Sequence, residues 1–139
     1  MNTEHEQLRE AVRRAAQAEL APHAARWDRE SIFPREALAA LGAMGLFGVA
    51  VPHEWGGAGM DSTALAIVCE EVSAGDAACG TIIAVNNLVA GILSGYGNAR
   101  QKEEFLKPLA SGACHGAFCL TEPGGGSDAG TWAPTQTSN

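Results

Sequence analysis

ACHGAFCLTEPGGGSDAG, residues 113–130, is where the pattern of this chain changes. Everything before it repeats its apolar residues at helical intervals. Here a short run, 115–121, is dense in apolar and aromatic residues and is ended by Pro123, which reads as a strand. A lone strand leaves its backbone donors and acceptors unpaired, and even an isolated hairpin is marginal. The remaining TWAPTQTSN, residues 131–139, offers no second strand. The expectation is a mainly α chain: an N-terminal helical domain of about five helices over residues 1–113, then the first strand of an incomplete β-domain over 114–139.

Working back toward the N-terminus, Thr3 and Glu6 have the spacing of a capping box, and Leu8, Val12, Ala15, Ala16 and Leu20 follow at helical intervals until Pro22. Periodicity is not resolved around Arg26, Trp27 and Asp28, where Trp27 reads as a packing anchor. Pro34 suits the first turn of a short helix with Leu38 and Leu41 on its apolar stripe, stopped by Gly45. The breaker-rich VPHEWGGAGMDS, residues 51–62, is a loop that Asp61 or Ser62 closes as a helix cap. Leu65, Val68, Cys69 and Val72 form the stripe of the next helix, with Glu70 and Glu71 expected to face outward. An apolar helix over 78–93 and a last amphipathic helix from Asn98 to Ala110 complete the set, the latter with Phe105, Leu106 and Leu109 inward.

Charge narrows the function classes. Sixteen acidic against nine basic side chains give a net charge of −7, which repels phosphate backbones and anionic lipid, so neither nucleic acid nor membrane is an expected partner. The polar, acidic opening MNTEHEQLRE does not resemble a secretory signal, and a cytoplasmic location is expected. The uncharged stretch 77–99 is long enough for a membrane span, but Asn86, Asn87 and four glycines within it favour a buried core helix. Cys69, Cys79, Cys114 and Cys119 lack zinc-site spacing, so reduced thiols and no metal are expected. The four histidines read as surface or loop residues.

GGGSDA, residues 124–129, formally matches a dinucleotide fingerprint, G-x-G-x-x-G/A. A true fingerprint sits in a tight strand-to-helix turn, with an acidic residue about 20 positions on, and neither condition is met; no lysine follows to make a P-loop. A looser reading remains. Bare backbone lets N–H groups converge on an anion, so Gly126 and the Ser127 hydroxyl could hold a pyrophosphate while Thr121 meets a polar ring edge. A glycine-rich surface turn with no ligand is the alternative.

Taken together, HEWGGAGMD, VNNLVAGILSGYGNARQKEEFLKPLASGA and FCLTEPGGGSDAG resemble the acyl-CoA dehydrogenase family in order and separation, most of all its short-chain or butyryl-CoA members. The similarity runs from about residue 8 to 130, and the tail from Thr131 departs from it. The resemblance implies a helical domain, a middle β-domain and a C-terminal bundle in a homotetramer with non-covalent FAD. By motif position it puts Phe118, Leu120 and Thr121 against the flavin and Gly126 and Ser127 on its pyrophosphate, with Ser127 also touching acyl-CoA. It implies α,β-dehydrogenation of an acyl-CoA thioester, in which a glutamate removes the α-proton and a hydride passes to flavin, with electrons leaving to an electron-transfer flavoprotein, or to oxygen in related oxidases. That glutamate belongs to the C-terminal bundle, so no catalytic residue is assigned in this chain. A non-catalytic helical remnant with no turnover of its own is the second reading.

Overall fold

A computed structural model describes residues 2–123 and 125–128. Helix α1 (Thr3–Glu19) is capped one residue earlier than expected: the Asn2 side chain accepts the His5 N–H at 2.9 Å. Asparagine is at least as good a cap as threonine, and it takes the extended backbone a cap requires. The unresolved stretch around Trp27 is a short helix, α2 (Ala24–Glu30), and Trp27 packs on the core from its partly buried position. Helix α3 (Arg35–Ala43) follows Pro34, buries Leu38 and Leu41, and gives way to Gly45 at φ +79. The loop after it folds back on itself, with the Ala58, Gly59 and Met60 amides donating to Gly48, Val51 and Val49 carbonyls around a 3₁₀ turn (His53–Trp55).

Asp61 caps α4 (Ser62–Gly75) by accepting the Ala64 N–H, and Asp76 caps α5 (Ala77–Tyr96) by accepting the Cys79 N–H at 2.7 Å. Asn98 and Gln101 form a reciprocal capping box on α6 (Ala99–Gln101). The helix then passes through a π-helical turn (Lys102–Leu106) into α7 (Lys107–Ser111). Pro108 has no N–H to give to an α-type bond, and a widened turn just before it is a usual accommodation. The wider turn also moves Phe105 off the inner face. Leu106 and Leu109 are buried as expected, but Phe105 is 48% exposed.

Helix α1 packs on α4, α4 on α5, and α5 on the π-turn and α7. The main core joins Val12 and Leu20 to Leu38, Leu41, Phe47, Val68, Val72 and Ile83. A smaller centre of Val51, Ala90, Leu106 and Ala110 lies at the other end of α5, covered by Trp55 and Leu93. Helix α5 is long and apolar enough to cross a bilayer, but Asn86 and Asn87 are buried and hydrogen-bonded to protein backbone, as a core helix requires.

The expected strand over 115–121 is not formed. Among the described residues there is no strand; the segment lies outside regular structure and reaches an isolated antiparallel bridge between Glu122 and Gly125. A ladder needs a second strand, and the described chain presents none alongside. Residues 129–139, which include the whole tail from Thr131, lie outside the described residues.

Candidate functional site

Gly112, at φ +75, ends α7 and turns the chain into a strap that crosses α5. The Gly116 N–H donates to Asn86 Oδ1 at 2.8 Å, and the His115 ring stacks at a tilt on Phe47, centroids 5.0 Å apart. Beyond these contacts the strap rises to the surface: Phe118 and Leu120 are 45% and 40% exposed. The Glu122 and Gly125 backbones then exchange two hydrogen bonds of 3.0 Å, closing a tight turn. That turn returns the chain to Thr121. A Cβ built on Gly126 would lie 3.2 Å from Thr121 Oγ1 and 3.4 Å from its Cγ2, so bare main chain sits directly against the threonine hydroxyl.

Of the five site residues read from the motif, the fold thus brings Thr121 and Gly126 together. Ser127 follows on the exposed side of the same turn, and Phe118 and Leu120 offer apolar surface on the approach. Hydroxyls and unobstructed backbone suit an anionic or polar ligand edge, and open apolar side chains suit a flat ring, so the donor set fits a flavin nucleotide. Gly124 lies outside the described residues.

Four acidic side chains of the helices are held in ion pairs. Glu71, expected to face outward, is 4% exposed and accepts from Arg9 at 2.6 Å and from both Arg13 nitrogens at 2.8 and 2.9 Å. The Arg13 guanidinium, helped by Arg9 and opposed by burial, holds its carboxyl below the ordinary carboxylate range. Glu70 receives a second Arg9 contact at 2.8 Å, Glu103 pairs with Lys107 and Glu104 with Arg100. His5 departs from its expected surface position as well. It is buried, with Nε2 3.0 Å from Asp61 Oδ1; Asp61 is itself held below its usual range by the Ala64 N–H and by His5.

Sequence reasoning missed the two polar centres that order the body. Asn86 and Asn87 counted only as residues unsuited to hydrocarbon, yet each satisfies three buried main-chain or helix groups. Two asparagines in an apolar helix were the available signal, because buried amides must find partners. For Glu71 the signal was Arg9 and Arg13 at i,i+4 on the facing helix.

Comparison with known proteins places this geometry. Residues 2–113 match the model for the acyl-CoA dehydrogenase N-terminal domain. The chain belongs to the acyl-CoA dehydrogenase family. The mitochondrial short-chain specific acyl-CoA dehydrogenase of Rattus norvegicus is 42% identical over 132 residues, covering 94% of this chain and 32% of the rat protein. Among solved structures, a glutaryl-coenzyme A dehydrogenase in complex with glutaryl-CoA superposes with a TM-score of 0.89 at 34% identity, over 96% of this chain and 35% of that one. An acyl-CoA dehydrogenase complexed with FAD from Bacillus anthracis gives 0.81 at 28% identity, over 93% and 22%. The chain spans about a third of the length of the curated relatives it matches.

Proposed function

We propose that this chain is the N-terminal domain and the opening of the flavin-binding segment of an FAD-dependent enzyme that dehydrogenates an acyl-CoA thioester between its α and β carbons. The division lies near residue 113, where the family match ends and the strap begins. The observation that carries the proposal is the apposition of Thr121 and Gly126 across the Glu122–Gly125 turn in a chain of this family. When bound, the flavin supplies the hydride acceptor for the oxidation.

The chain's own residues bind and orient. The Thr121 hydroxyl donates to the polar edge of the ring, and the Gly126 and Ser127 main-chain and hydroxyl groups donate to the pyrophosphate, the missing Cβ of Gly126 letting the turn close tightly on Thr121. Ser127 also reaches the acyl-CoA. Phe118 and Leu120 cover apolar ring surface and exclude water from it. The α-proton is taken by a glutamate that the family places in its C-terminal bundle, and Glu70, Glu71, Glu103 and Glu104 serve the helical body as ion-pair partners. An electron-transfer flavoprotein as acceptor, a homotetramer and a cytoplasmic location complete the proposed setting.

A second reading, a helical remnant without turnover, draws support from the helical body, whose core closes without the strap's outer residues. Titration with FAD separates the two. The flavin reading expects quenched flavin fluorescence and a structured visible band, both weakened by Thr121→Val and by Gly126→Val. A chain that leaves added FAD spectroscopically free excludes it.

A further inference from the structure

We infer that Asn86 is a positioning residue for the flavin cradle, acting through the Gly116 main chain. The inference rests on the flavin reading above and adds to it a residue of the helical body. Asn86 is completely buried at the centre of apolar α5. Its Nδ2 donates to the Phe47 carbonyl at 3.0 Å and the Leu109 carbonyl at 3.1 Å, and its Oδ1 accepts the Gly116 N–H at 2.8 Å. A side-chain amide has two donors and one carbonyl acceptor, and all three kinds of valence are used here, with the orientation set by two carbonyls on one side and an N–H on the other.

Packing alone would be served by leucine at this position; an amide is required only by the three main-chain segments that meet there. Two of them, the loop after α3 and the end of α7, belong to the helical body. The third is the strap. Neighbouring Asn87 makes the instructive contrast, because its three bonds, from Val49 N–H and to the Leu46 and Ile83 carbonyls, all stay within the body.

Gly116 is seated flat on α5. A Cβ there would lie 2.9 Å from Val89 Cβ, 3.0 Å from Val89 Cγ1 and 3.2 Å from Leu109 Cδ2, so only glycine brings its N–H close enough to the Asn86 carbonyl. His115 stacks on Phe47, the residue whose carbonyl Asn86 also holds. Downstream of this pin the described backbone hydrogen bonds are those of the Glu122–Gly125 turn itself. The height at which the strap crosses α5, upstream of Thr121 and Gly126, is therefore fixed in part at Asn86, beside the His115 stacking on Phe47.

The test uses the full chain with Gly116→Ala, Asn86→Ala and Asn87→Ala, reading urea stability, amide exchange at position 116 and FAD affinity. Gly116→Ala changes no residue of the body but lifts the strap off Val89 and Leu109 and unpairs Asn86 Oδ1; it is expected to lower the urea midpoint modestly while speeding exchange at position 116 and, in the folded chain, weakening FAD about tenfold, the scale of one lost hydrogen bond. Asn86→Ala and Asn87→Ala both lower stability, but under conditions where both remain folded only Asn86→Ala is expected to weaken FAD. Affinity of Gly116→Ala within about twofold of wild type overturns the inference and leaves the flavin reading standing. So does a position-116 amide that exchanges freely in the wild type. Failure of the wild type itself to bind FAD overturns the flavin reading and this inference with it.

Discussion

The seam between α1 and α4 and the contact between α5 and its covering loops are both closed by buried polar groups, but of opposite chemistry. At the seam a single carboxylate, Glu71, is held by two guanidiniums whose own side chains reach the surface: Arg9 is 20% and Arg13 52% exposed. On α5, two neutral amides serve main-chain groups and are themselves enclosed, Asn86 at 0% and Asn87 at 6% exposure. The difference is one of solvation. A charge can be buried near an edge because its partners remain hydrated, whereas an irregular loop pressed into the core needs donors and acceptors that carry no net charge. The seam is thus sensitive to pH, and the α5 contact is not.

The sharpest way to test that contrast is to delete one amide. Asn87→Ala strands the Val49 N–H and the Leu46 carbonyl in the interior and is expected to cost about 3 kcal/mol in urea denaturation, more than the mean for point variants. Glu71→Ala comes next. It leaves two arginines that can rehydrate, and the expected loss is about 2 kcal/mol near neutral pH.

The pH dependence follows from the same carboxyl. Its folded pKa is depressed below the ordinary 4.5, so its stabilisation is complete above that value and is lost as pH falls through the folded pKa. Asp61, also depressed, adds in the same direction. Urea midpoints measured from pH 6 downward should therefore fall with acid, less steeply in Glu71→Gln, and as steeply as wild type in Asn87→Ala. Equal slopes in all three would break the comparison.

The smallest effect concerns thiols. Cys79 is buried at the start of α5 and pushed up to about 12 by burial and by Asp76, while Cys114 and Cys119 sit exposed on the strap. Iodoacetamide at mildly alkaline pH should label Cys114 and Cys119 in the folded chain and reach Cys79 only after urea is added; early labelling of Cys79 would show that the body opens as readily as the strap.

Much of the helical body was legible because its signals are local. Pro34, Asp61 and Asn98 mark helix starts through bonds made within three or four residues, and the stripes through Val12, Leu38, Val68 and Leu106 repeat at the helical period. The same holds for the candidate cradle, where Thr121 and Gly126 are joined by one tight turn. Phe105 and the expected strand show where locality ends. Pro108 widened a turn that periodicity assumed to be regular, and a run with strand composition found no neighbour to pair with.

The sequence by itself determined where most of the longer helices begin, the main apolar stripe of each, and which short motif could face a nucleotide, since each of these depends on residues a few positions apart. Only the tertiary structure decided that Glu71 would turn inward to Arg9 and Arg13 across 62 and 58 positions, and that Asn86 would reach Gly116 across 30. A buried charge or amide takes whatever partner the packing of distant segments presents, and that choice leaves no periodic trace along the chain.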